Sequence, residues 1–64
     1  MSENAKLSPR QAEILRLISR GKTDKEIAAD LIITRGTVRT HLRVIFSRLR
    51  VRSRAQAVFR YLGS

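Results

Sequence analysis

Arg39 and Arg43 stand four positions apart, so on a helix their guanidinium groups leave one face roughly 6 Å from each other along the axis. That separation suits neighbouring base pairs in a nucleic-acid groove, where an arginine fork bonds the O6 and N7 edge of guanine. Gly36 and Thr40 flank the pair. Glycine permits close approach, and the threonine methyl can touch the methyl of thymine. Arg35, Arg48, Arg52 and Arg54 fall at helix ends and flanks, where a guanidinium grips phosphate and sets the docking register. All of this is binding chemistry. For catalysis the parts are missing: the only histidine, His41, has no Cys, Ser or carboxylate at a helical spacing to act with. With no cysteine there is no disulfide framework and no thiolate metal site, and one histidine cannot build a zinc site by itself, so neither metal nor cofactor is expected. An enzyme is not expected either.

The distribution of charge points the same way. All five acidic residues, Glu3, Glu13, Asp24, Glu26 and Asp30, precede position 31. Residues 1–30 carry six basic and five acidic side chains, a net of +1, whereas residues 31–64 carry eight arginines and no acid, a net of +8. A positive field of that kind draws in phosphates and adds only self-repulsion to the fold, so a polyanionic partner is implied. Arginine outnumbers lysine eleven to three, in keeping with fork-shaped contacts to phosphate or guanine. The bland alternative is a solvated helical face, but such faces usually mix both signs.

Four helices are expected to position these groups. Three segments open with a hydroxyl residue followed three positions later by Glu or Gln, the reciprocal capping box: Ser8 with Gln11, Thr23 with Glu26, and Ser53 with Gln56. Helix one, about residues 9–20, begins at Pro9, ends at Gly21 as its left-handed cap, and turns Ile14, Leu15, Leu17 and Ile18 inward. Helix two, about 24–31, buries Ile27, Ala28 and Leu31 and sets Asp24 and Glu26 where its dipole favours anions. A link of residues 32–34 leads to helix three, capped by Thr34, whose Val38, Leu42, Ile45 and Leu49 form a core-facing stripe beside Phe46. Arg39, Arg43 and Arg50 share the neighbouring arc with no acid among them. Helix four, about 54–62, carries two apolar rows, Ala57, Val58 and Tyr61 on one and Ala55, Phe59 and Leu62 on the other, so one row is expected to stay exposed. Strand alternation and internal repeats are absent from the pattern. The expectation is an all-α, four-helix helix-turn-helix domain over residues 7–62, with a disordered tail at 1–6 and a short tail at 63–64. No secretory or membrane-spanning apolar run occurs, which implies a soluble, cytoplasmic protein with no membrane partner.

A short helix, a three-residue connection and a longer helix with a basic outer face describe a helix-turn-helix that reads the major groove. Residues 7–21 (LSPRQAEILRLISRG), 23–31 (TDKEIAADL), 33–42 (ITRGTVRTHL) and 48–58 (RLRVRSRAQAV) resemble the four-helix DNA-binding domain of LuxR/GerE/NarL-type bacterial transcription factors. The resemblance implies a homodimer on double-stranded DNA bearing an inverted or direct repeat. It also implies base contacts from Arg39, Thr40 and Arg43, phosphate contacts from Thr37, His41 and Arg48, and pairing through helix four by the row Ala55, Phe59 and Leu62. Taken by itself, His41 reads as a boundary histidine packed at the core edge. Three positions depart from the family pattern. Arg50 stands where Gly is common, so that helix end is expected to fray or run on. Ile32 occupies a tight turn where small or polar residues are commoner, and Gly36 should weaken an isolated helix by about 0.8–1 kcal/mol relative to Ala. Alternative functions are the promoter-reading region of a sigma factor, a protein-binding module that uses helix four, and a non-specific RNA or nucleoid protein. The last lacks stacking aromatics, because Phe46, Phe59 and Tyr61 all sit in apolar rows. A signal-receiving domain or an RNA polymerase contact outside this chain is left open.

Overall fold

The computed structural model describes residues 7–63 and shows four helices: α1 (Pro9–Ser19), α2 (Asp24–Leu31), α3 (Arg35–Leu49) and α4 (Arg54–Leu62). The expected tail at 1–6 lies outside the described residues, as does Ser64, while Gly63 forms the turn that closes α4. α1 packs against both α3 and α4, and α2 packs chiefly against α3. Their shared core contains Ile14, Leu15, Leu17 and Ile18 of α1, Ile27 and Ala28 of α2, Val38, Leu42, Ile45 and Leu49 of α3, and Ala57 of α4. Leu7, Leu31, Ile33, Phe46, Val51, Val58 and Tyr61 close its edges.

Helix starts follow the local code closely. Ser8 and Gln11 form a full capping box, as do Thr23 and Glu26. The hydrogen bonds that the Thr23 backbone N–H and side chain make hold the Glu26 carboxyl below its ordinary pKa. The stabilisation from that depressed carboxylate is complete above the ordinary value of 4.5 and is lost as pH falls through the lower folded value. Thr34 caps α3 by accepting from the Thr37 N–H, and its hydroxyl also meets the Thr37 hydroxyl at 2.9 Å. The third expected box is corrected by the structure. Ser53 accepts from the Gln56 N–H at 3.1 Å, but the Gln56 carboxamide reaches one residue further back and accepts from the Arg52 N–H at 2.7 Å. The bend before α4 brings the Arg52 amide within that reach.

Helix ends obey one geometry with three different residues. After α1, Gly21 has φ of 83°, the Lys22 N–H donates to Leu17 O and the Gly21 N–H to Ile18 O, the paired bonds of a Schellman motif. The same pair recurs after α2, where Ile33 N–H donates to Ala28 O and Ile32 N–H to Ala29 O, and after α3, where Val51 N–H donates to Phe46 O and Arg50 N–H to Ser47 O. Ile32 and Arg50 therefore take the left-handed conformation, with φ of 56° and 57°. The expectation that α3 frays or runs on at Arg50 is overturned. The helix stops at Leu49, and Arg50 leaves the helical arginine stripe to become the cap. Ile33 and Val51, the residues that follow each cap, pack against the core and hold the turns closed.

Ile32 is 90% exposed, so its side chain gains little to offset a left-handed backbone that costs an L residue about 1–2 kcal/mol. Replacing it with glycine relieves that strain at a smaller entropic cost, so Ile32→Gly is expected to stabilise the domain by about 1 kcal/mol in urea unfolding.

Candidate nucleic-acid interface

Burial of Val38, Leu42, Ile45 and Leu49 turns the opposite side of α3 to solvent. At 100° per residue that outer side divides into two shoulders around a centre of small residues. Arg35, Arg39 and Arg43 occupy one shoulder, Gly36, Thr40 and Ser47 the centre, and Thr37, His41 and Arg48 the other. All nine are exposed except His41, which is half-buried. The three residues expected at base edges thus share one shoulder with the centre, while three expected at phosphates share the far one. In a groove the inward arc of a helix meets base edges and the arcs on either side meet the two backbones, and Arg35, also expected at phosphate, lies at the outer edge of the Arg39 and Arg43 shoulder.

The centre is shaped for close approach. The Thr40 hydroxyl donates to Gly36 O at 3.1 Å, so its proton is committed to the helix backbone while the residue stays exposed. A Cβ placed on Gly36 would meet nothing nearer than the Thr34 hydroxyl oxygen, 3.7 Å away, so the fold does not require glycine there.

Arg54 stands at the start of α4. Its guanidinium is bonded to the carboxylate of Asp24, the first residue of α2, and the second oxygen of that carboxylate lies 4.0 Å from Nε of Arg39. Sequence reasoning assigned Asp24 only to the helix dipole, because nothing local couples residue 24 to residues 39 and 54. Of the other acids among the described residues, Glu13 lies 3.7 Å from Arg10 and 3.9 Å from Arg16 on the same helix, Asp30 lies 3.0 Å from Lys22, and Glu26 accepts from the Thr23 N–H.

On α4 the structure buries Ala57, partly buries Val58 and Tyr61, and leaves the row Ala55, Phe59 and Leu62 outside. Phe59 is 76% and Leu62 70% exposed. An open groove of about 500 Å³ runs beside this row, lined by Arg50, Val51, Ala55, Gln56, Phe59 and Arg60. Among the described residues no group of His, Cys, Asp and Glu could hold a metal ion, and no helix is long and apolar enough to cross a membrane.

The eight-residue α2, a three-residue turn with a left-handed first residue, and the longer α3 with its basic outer face define a helix-turn-helix module. Residues 5–61 match the family model described as bacterial regulatory proteins, luxR family, and the chain belongs to that family of DNA-binding transcription regulators, which are not enzymes. It is 42% identical over 59 residues to the transcriptional regulatory protein DesR of Bacillus subtilis (strain 168), covering 92% of this chain and 30% of DesR. It is 53% identical over 51 residues to the transcriptional regulatory protein LiaR of the same organism, covering 80% of this chain and 24% of LiaR. Similarity to a probable HTH-type transcriptional regulator, GfsR of Streptomyces halstedii, is 40% over 62 residues, 97% of this chain and 26% of GfsR. The chain therefore spans under a third of the length of these relatives.

Gly36→Ala separates folding from approach to a partner. Alanine adds about 0.8–1 kcal/mol of helix propensity without a clash, so the variant should unfold at higher urea, while its added methyl weakens duplex DNA binding in a fluorescence titration.

Proposed function

We propose that this chain is a sequence-specific reader of double-stranded DNA whose α3 enters the major groove and whose α4 joins two copies on the operator. The observation that carries this reading is the outer face of α3: cationic or hydroxylic on both shoulders, free of acid along the helix, and held outward by a buried stripe on the opposite side. Arg39, Thr40 and Arg43 read base edges, while Thr37, His41, Arg48 and Arg35 contact phosphate. Arg54 reaches phosphate from the start of α4 while sharing its charge with Asp24. Ala55, Phe59 and Leu62 supply the apolar surface for pairing. A domain this small lacks a large core of its own, and two large exposed apolar side chains on one short helix favour a second copy over solvent. The reading extends to a regulator that acts in the cytoplasm on a repeated or inverted site. Membership of the luxR family supports it over a sigma-factor promoter reader. A module that binds protein alone would not account for the absence of acid along the outer face of α3.

Selection of bound duplexes from a random pool at physiological salt tests the whole reading, with enrichment of a two-fold symmetric or repeated motif expected. At finer scale, Arg43→Ala should relax preference at one position of that motif by about 1–3 kcal/mol, whereas Arg48→Ala should weaken all sequences alike and flatten the salt dependence of binding. Uniform loss in both variants would remove Arg43 from base reading. Phe59→Glu places a charge on the exposed row and should separate dimers in sedimentation while leaving the helical circular dichroism unchanged. Loss of helicity instead would assign Phe59 to the fold.

A further inference from the structure

Asp24 is the only acid among the described residues that links two other helices, and both of its partners are arginines expected at the DNA. One carboxylate oxygen bonds Arg54 of α4, and the other lies 4.0 Å from Nε of Arg39 on α3. The Asp24 side chain is 27% exposed, whereas that of Arg39 is 71% exposed and projects from the shoulder that would meet base edges. The carboxylate stands on the Nε side of the guanidinium, at ion-pair and not hydrogen-bond distance, and the terminal pair of nitrogens is the end of the fork away from it. An arginine can meet guanine O6 and N7 end-on, through its two terminal nitrogens, or side-on, through Nε and one of them. A carboxylate behind Nε obstructs the side-on mode and favours the end-on one. It also limits the freedom that a long side chain would otherwise lose on binding.

Resting on the base-reading role of Arg39, we propose that Asp24 is a positioning residue that sets the specificity of this domain. It orients the Arg39 guanidinium for end-on recognition of one guanine and is itself held by Arg54. The three side chains together carry +1 instead of the +2 of the arginines alone, so the arrangement lowers attraction to phosphate in general while sharpening the contact to one base. The Asp24–Arg54 bond is part-buried and ties α2 to α4, so it also serves the fold, whereas the wider ion pair to the exposed Arg39 adds little to stability. The effect of Asp24 on recognition is therefore read as discrimination between base pairs, separately from stability.

The test is a binding cycle on the selected operator, on the same operator with the guanine facing Arg39 replaced, and on a random duplex, using wild type, Asp24→Asn, Arg39→Ala and the double variant. Asp24→Asn is isosteric and removes only the charge, and circular dichroism checks that its helices are intact. The expected result is a loss of about tenfold in discrimination at that base pair, the order of one good bidentate contact, together with tighter binding to the random duplex. In the Arg39→Ala background, Asp24→Asn should leave discrimination unchanged, an outcome that a merely structural role for Asp24 does not produce. Undiminished discrimination in Asp24→Asn, or an equal loss with and without Arg39, overturns the proposal. A wild type with no base preference would overturn the base-reading role of Arg39 and this inference with it. A wild type with a clear base preference that Asp24→Asn retains in full overturns this inference alone.

Discussion

Val38, Leu42, Ile45 and Leu49 occupy the centre of the core, and their burial against the other helices sets the rotation of α3 about its own axis. A helix has one such degree of freedom, and each residue is locked to its neighbours at about 100°. Once the apolar stripe is inside, the positions of Arg39, Thr40 and Arg43 relative to Thr37, His41 and Arg48 are decided. In a domain this small the stripe cannot be shared out among several cores. α1 supplies its other half through Ile14, Leu15, Leu17 and Ile18, and for that reason it touches both α3 and α4.

Chain reversals are the second requirement, and they are met at some cost. Two of the three left-handed turns are made by Ile32 and Arg50 where glycine would be least strained. Each turn closes two backbone bonds to the preceding helix and delivers an apolar residue, Ile33 or Val51, onto the core. Packing of the following residue offsets strain in the turn residue. The angle between α2 and α3 depends on this, because a turn of residues 32–34 with no left-handed residue could not reverse the chain so tightly.

Electrostatics divides the molecule. Glu13 of α1 and Asp30 of α2 are matched locally by Arg10, Arg16 and Lys22, Glu26 is engaged in its cap, and the second half has no acid of its own. Asp24 alone carries negative charge from α2 to the arginines of α3 and α4. The field that remains at α3 is strongly positive, and its burden on a folded monomer is self-repulsion, which binding to a polyanion relieves.

Much of this architecture was legible before any coordinates. Helix positions and the α3 stripe follow from 3.6-residue periodicity, and four N-caps follow from a hydroxyl three residues before an amide donor. Both are local relations, and a sequence records local relations directly. The core residues of α1 and α3 could be read for the same reason, but the periodicity of α4 offered two apolar rows, and packing against α1 decided that Ala57 and not Phe59 turns inward. Other features depended on distance in space instead of distance along the chain. Arg54 and Asp24 are thirty positions apart. The Gln56 side chain found the Arg52 amide because of the bend before α4, and Arg50 became a cap because Val51 had a place in the core. The sequence by itself determined which helices form and which face of each is apolar. Only the tertiary structure decided which charges meet and which residues bear the strain, since both require the helices to be packed against one another.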